Sequence, residues 1–173
     1  MRVEENGGSV DEDGLISTAK QAADHELVLG FGRLLGAAGR LEYILGRAIE
    51  VECGISHLVF EVLLILGRAG GDGVSMKAIG QEQVLTTGGV TRLVDRMEEA
   101  GLVERTDDPA DRRGRLVRLT ELGERKAVQA ARVHLENIRR HFLEPLPASH
   151  RRQFMDDLRI LSHTARDALP RLR

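Results

Sequence analysis

A mainly α-helical fold carrying one small β-hairpin is predicted by three observations. Apolar residues recur at helical spacing along most of the 173-residue chain. One stretch, residues 102–119, reads instead as two short strands around a polar loop. Aromatics make up only 3% of the chain and Trp is missing, so the core is aliphatic, which suits helices packed on helices. With 42% hydrophobic and 30% charged residues the chain can bury a core and still present a solvated surface. Its length fits one domain, or one with extensions.

In chain order, residues 1–22 are polar and acidic and read as a mobile tail that ends in a partly ordered helix. From about residue 24 a long helix follows. Leu27, Phe31, Leu34, Ala38, Leu41, Leu45 and Ala48 alternate spacings of four and three and form one apolar stripe. Its glycines imitate a dinucleotide loop only superficially, because no strand precedes them. Small residues that let two helices approach are the better reading. Cys53-Gly54 breaks this helix, and Ser56 is positioned to cap the next, Ser56–Arg68, which is apolar nearly all round and predicted to be central.

A glycine-rich turn leads to a short helix over 75–83, with Met76, Ile79 and Val84 facing inward. Thr86 to Ala100 forms the next helix, closed by Gly101, with Val90, Leu93, Val94 and Met97 as the buried stripe. Residues 102–106 read as a strand, 107–114 as a loop and 115–119 as the returning strand. Thr120 opens a further long helix, with a seam of Val128, Ala131, Leu135, Ile138 and Phe142, until Pro145 and Pro147 break it. A final helix carries Phe154, Leu158, Leu161, Ala165 and Leu169 and stops near Pro170. Helix, turn, helix and hairpin in this order is the plan of a winged helix-turn-helix core. The flanking helices have more apolar face than such a core requires, which predicts their use as dimerisation helices. The organisation is then a tail over 1–22, a dimerisation helix over 23–55, a DNA-binding lobe over 56–119 and dimerisation helices over 120–173.

The net charge of −2 argues against a chain that coats nucleic acid indiscriminately, yet the acidity is concentrated at one end. Without residues 1–26 the remainder carries +3. Cys53 is alone, so no internal disulfide framework can form. No apolar run reaches the roughly 18 residues of a membrane span, and the start lacks the apolar centre of a secretory signal. A cytoplasmic protein without a membrane partner is expected.

The run LTTGGVTRLVDRMEEAGLVERTDDPADRRGRLVRLTELG, residues 85–123, resembles the core signature of the MarR family. It has a Met-Glu-x-x-Gly-Leu-Val-x-Arg ending to the recognition helix, an Asp-Arg-Arg wing and a Leu-Thr-x-x-Gly opening to the next helix. The likeness extends over about residues 24–170. It implies a homodimeric, sequence-specific regulator of transcription, a repressor, that binds a palindromic stretch of double-stranded DNA.

Residue chemistry agrees. Thr86 caps the recognition helix, whose N-terminal N–H groups suit a DNA phosphate. Thr87, Gly88, Thr91 and Arg92 occupy the outward side of its first two turns, the part that enters a major groove. Arg92 suits a guanine, whose O6 and N7 accept both arms of a guanidinium. Gly88 and Gly89 depart from the family pattern: they weaken the first turn and remove two side chains that could read bases. In the wing, the resemblance makes Arg113 the minor-groove residue and Asp111 its support, with Arg112 and Arg115 on phosphates. Arginine at a hairpin tip suits a narrow A·T-rich groove. The plainer reading of each arginine is a solvated surface residue, and the juxtaposition of helix and wing favours DNA.

The resemblance also implies a small aromatic or anionic effector. Arg40, Tyr43, His57 and Phe60 are its candidate lining. Glu52, Cys53 and His57, or His134 and His141, are incomplete as metal sets, since structural zinc takes four ligands and catalytic zinc three. Cys53 as a redox switch lacks cationic neighbours in sequence. No cofactor motif is present, and no histidine stands in a nucleophile or acid–base motif, so an enzyme is not expected. The remaining alternatives are a metal- or redox-sensing regulator of the same fold and a winged-helix protein-interaction module.

Overall fold

The computed structural model describes residues 16–109 and 111–168, with residues 111–113 described by their backbone only. Most of the expected acidic tail, and Leu169 and Pro170, lie outside the described residues. The chain forms two compact units that divide after Arg40.

The first unit begins with α1, Ala19–Asp24. A reciprocal cap starts it: the Gln21 amide donates to Thr18 Oγ1 at 3.1 Å, and the Thr18 amide donates to Gln21 Oε1 at 3.2 Å. The helix α2, Glu26–Cys53, follows after His25, whose Nδ1 accepts from the Leu27 amide at 3.2 Å. Between residues 26 and 35 the side chains of Leu27, Val28, Leu29, Phe31, Leu34 and Leu35 are exposed. At Gly30, Gly32 and Gly39 an added Cβ would meet nothing within 4 Å.

In the second unit, α3 spans His57–Ala69, β1 Val74–Ser75, α4 Met76–Glu82, α5 Thr87–Glu99, β2 Val103–Asp108 and β3 Asp111–Leu119. Helix α6 follows over Glu121–Ile138, then a single π-helical turn over Arg139–Leu143, then α7 over Arg151–Ala168. The expected fold class is observed, a mainly helical winged helix-turn-helix. Its sheet has three antiparallel strands in the order β1-β3-β2. Sequence reading missed β1, which pairs Val74 with Val117 and Ser75 with Leu116.

The central core joins Val62, Leu63 and Leu66 of α3 to Ile79, to the stripe Val90, Leu93, Val94 and Met97, and to Val103 and Val117 of the sheet. A second cluster holds Ile49, Cys53, Phe60 and Ala130.

Two expectations need correction. The loop placed at 107–114 is mostly strand, because β2 and β3 continue their ladder to the Asp108↔Asp111 pair. Val84, expected inside, is 87% exposed at φ +52°, and the partly buried Leu85 packs on the core instead. On α6 Gly123, Ala127 and Ala130 are buried and Ala131 packs beside them, while Val128 and Leu135 of the expected seam are exposed.

Candidate nucleic-acid interface

The recognition helix α5 begins at a hydroxyl cap: Thr86 Oγ1 accepts from the Gly89 amide at 3.3 Å. The first N–H groups of such a helix have no partner within it, and here they sit among exposed residues. Thr87, Gly88, Thr91 and Arg92 are all exposed. A Cβ at Gly88 would meet nothing within 4 Å, so glycine is not required there by packing. Thr91 Oγ1 donates to the Thr87 carbonyl at 3.0 Å, which holds its side chain against the helix. Arg96 folds back in the same way, Nε donating to the Arg92 carbonyl at 3.3 Å. The Arg92 guanidinium has no polar partner among the described residues. The structure therefore brings the five expected groove residues onto one exposed helix end.

What fixes the direction of α5 was only partly visible in the sequence. Gly80 lets α4 pass close beneath it, since a Cβ there would come within 2.9 Å of Val90 Cγ2. Arg105 on β2 ties the other side. Its guanidinium pairs with Asp95 and Glu98 of α5, and its amide donates to Glu98 Oε1 at 3.2 Å. Burial opposes the charge on Arg105, but the hydrogen bonds and fields of Asp95 and Glu98 outweigh it and raise the pKa. The signal available beforehand was a pair of acids three residues apart on α5, one turn of helix.

The far end of α5 closes on a corner that explains the Gly-Leu-Val and Leu-Thr-x-x-Gly motifs. Gly101 takes φ +68°, which only glycine adopts at no steric cost. Thr120 Oγ1 donates to the Gly101 carbonyl at 2.6 Å and accepts from the Gly123 amide at 3.0 Å. The Thr120 amide donates to the Leu102 carbonyl at 3.1 Å. A Cβ on Gly123 would overlap that same Leu102 carbonyl. The first turn of α6 is thus packed directly on the backbone that ends the recognition helix.

The wing is the β2–β3 hairpin. Asp107 faces Arg115, and Arg115 Nη1 pairs with Asp107 Oδ1 on an exposed surface. Beyond it the register shifts, with Asp108 facing Asp111. Asp111, Arg112 and Arg113 lie on β3, and their side chains lie outside what the structure describes.

A cavity of about 240 Å³ lies in the same unit, between α3, the end of α4 and α6. Of the expected effector residues it brings together His57 and Phe60 and adds His134, Glu61, Arg68 and Glu82, which the sequence reading did not name for it. The rings form a cluster: Phe60 and His134 meet edge to face at 5.1 Å, and His57 and His134 lie 5.6 Å apart. Burial, and then the nearby His57, push the His134 pKa down, and its buried Nδ1 has no partner among the described residues. Tyr43 is not among the lining residues and is 74% exposed. Arg40 belongs to the first unit, where its guanidinium lies against Gly36 of its own helix.

Among the described residues no three His, Cys, Asp or Glu side chains converge as metal ligands. Cys53 is buried, and burial pushes its thiol pKa up, with Lys126 opposing and Glu52 adding to the shift. Among the described residues no helix is long and apolar enough to cross a membrane.

Comparison with known proteins agrees with this geometry. The MarR family profile matches residues 35–114. An uncharacterized HTH-type transcriptional regulator of Bacillus subtilis, YdgJ, is 30% identical over 115 residues, covering 66% of this chain and 68% of the relative. Sco3205 of Streptomyces coelicolor, a MarR family regulator solved in complex with DNA, superposes with a TM-score of 0.72 at 25% identity, over 90% of this chain and 99% of its own. CouR of Rhodococcus jostii RHA1, solved with p-coumaroyl-CoA, gives 0.63 at 29% identity, over 82% and 94%.

Proposed function

The chain belongs to the MarR family of winged-helix transcriptional regulators, and from that premise we propose that it is a homodimeric repressor of palindromic DNA released by a small-molecule effector. The observation that carries this reading is the exposed start of α5, with an unpartnered Arg92 guanidinium on a helix held from both sides by Gly80 and Arg105. A base-reading group must be presented at a fixed angle, because a bidentate contact tolerates little rotation.

In this reading Thr86, Thr87, Gly88 and Thr91 meet the major-groove wall and its phosphates, and Arg92 reads a guanine. Arg113 enters the minor groove with Asp111 supporting the wing, while Arg112 and Arg115 take phosphates. The Asp107–Arg115 pair does not withhold Arg115, since an exposed ion pair is worth at most about 1 kcal/mol. The exposed apolar residues of α2, and those of α6 and α7, are the dimer surface. Two-fold symmetry then sets the recognition helices about 34 Å apart, one turn of DNA. The effector occupies the cavity at His57, Phe60 and His134, and acts by binding the DNA-free conformation more tightly.

Binding titrations on duplexes from the gene's own upstream region test the DNA surface. Arg92→Ala costs about 1–3 kcal/mol per half-site and relaxes preference at one base position. Arg113→Ala weakens binding most where the flank is A·T-rich. Arg115→Ala lowers affinity evenly and makes the salt dependence shallower by about one unit. If Arg92→Ala and Arg113→Ala both leave affinity and preference unchanged in a folded dimer, the assigned surface is wrong.

A further inference from the structure

The charge of the cavity departs from the anionic effector that the family resemblance implies. Its walls carry two carboxylates, Glu61 on α3 and Glu82 at the end of α4, against one guanidinium, Arg68. None of the three has an ion-pair partner among the described residues. Glu61 is half-buried while Glu82 and Arg68 are both exposed, so the deepest charge of the three is the Glu61 carboxylate. The other titratable groups on the walls are His57 and His134. His134 is kept neutral by burial and by His57, and so adds no positive charge near pH 7.

We propose that this cavity selects a small organic cation, a protonated amine carrying an aromatic or apolar group, over an organic anion. The inference rests on reading the cavity as the effector site. The ammonium sits on the half-buried Glu61, where a charge-assisted hydrogen bond forms at reduced dielectric, with the exposed Glu82 beside it. The apolar part lies against Leu64, Ile65 and the His57–Phe60–His134 rings. An anion in the same place would meet two like charges. At about 240 Å³ the cavity is smaller than the roughly 300–1,000 Å³ of drug-sized sites, so the ligand is small. The p-coumaroyl-CoA bound by CouR, with its phosphates, is the opposite in both size and charge. Glu82 and Gln83 immediately precede Val84, the strained link into α5. A cation that draws Glu82 toward Glu61 therefore acts on the segment from which the recognition helix is suspended.

The test uses the full-length protein and two probe pairs matched in shape and opposite in charge: benzylammonium against benzoate, and phenethylammonium against phenylacetate. Calorimetry and release from a bound DNA duplex are read for each. The ammonium member is expected to bind at least tenfold more tightly and to release DNA at lower concentration. Glu61→Gln with Glu82→Gln, neither of them buried in the core, is expected to remove that preference without changing the melting temperature. Leu64→Trp, which fills the cavity, is expected to abolish binding of both ammonium probes while DNA is still bound. Equal affinities, or a preference that survives both glutamine substitutions, overturn the proposal. Tighter carboxylate binding that Leu64→Trp abolishes overturns the cation and leaves the effector site intact. If no probe binds, or binding ignores Leu64→Trp, both the cation and the effector site fall.

Discussion

The corner where α5, β2 and α6 meet and the first fourteen residues of α2 use the same residue types to opposite ends. At the corner both glycines are demanded: Gly123 faces the Leu102 carbonyl and Gly101 supplies a positive φ. In α2, Gly30, Gly32 and Gly39 face open space, and Leu27, Phe31 and Leu34 are exposed. The corner is complete within one chain. The start of α2 has the composition of an interior with none of the described residues of its own unit covering it, and such patches mark interaction surfaces.

The sharpest way to break this contrast is to put the same methyl group in both places. Gly123→Ala forces Cβ onto a backbone carbonyl and is expected to cost about 3 kcal/mol or more, the upper range for overpacking, in denaturant unfolding. Gly39→Ala meets no atom and is expected to add roughly 0.5–1 kcal/mol of helix stability when measured on the undimerised chain. A next step is to charge the exposed stripe. Phe31→Asp is expected to weaken the proposed dimer by roughly 2–4 kcal/mol, as loss of a central aromatic anchor does, and to leave the far-ultraviolet spectrum unchanged. Sedimentation velocity at micromolar concentration checks this; an unaltered dimer places the interface elsewhere.

A smaller effect separates the two regions by pH. The folded pKa of His134 lies below its usual 6.5, so the unfolded chain takes up this proton first. Its contribution to stability is whole above pH 6.5 and is lost as the pH falls from there toward the depressed folded value. Thermal melts at descending pH are expected to fall through this window, and His134→Leu is expected to flatten that part of the curve. The smallest change is Val84→Gly. It removes a β-branched side chain from a left-handed conformation, a strain of about 1–2 kcal/mol, at the cost of chain entropy. A net gain of up to about 1 kcal/mol is expected in chemical denaturation.

The recognition helix was legible in the sequence because its two requirements are local. Thr86 caps it, and Val90, Leu93, Val94 and Met97 mark its buried side by spacing alone. Gly101 closed it for the same reason. What escaped depended on partners distant in the chain. Val74 and Ser75 become a strand only because Val117 and Leu116 lie beside them. Arg105 reads as an alternating strand residue until Asp95 and Glu98 are placed above it. On α6 hydrophobic spacing marked large side chains such as Val128 and Leu135 and passed over the buried Gly123, Ala127 and Ala130, whose small size suits close packing. Of the candidate site, the exposed helix end was legible and the cavity's carboxylates were not, since Glu61 and Glu82 come from different helices.

Thr120 carries a mechanical consequence. Through three hydrogen bonds it joins the end of α5 to the start of α6, and so works as an axle with the recognition helix as its arm. That arm is 13 residues long, about 20 Å at 1.5 Å per residue. A tilt of about 10° at the axle sweeps its tip through about 3.5 Å, close to the 3.4 Å between successive bases on one strand. A small rotation of α6 is thereby geared up to about a base step at Thr87 and about half a step at Arg92, midway along the arm, while the corner itself stays intact.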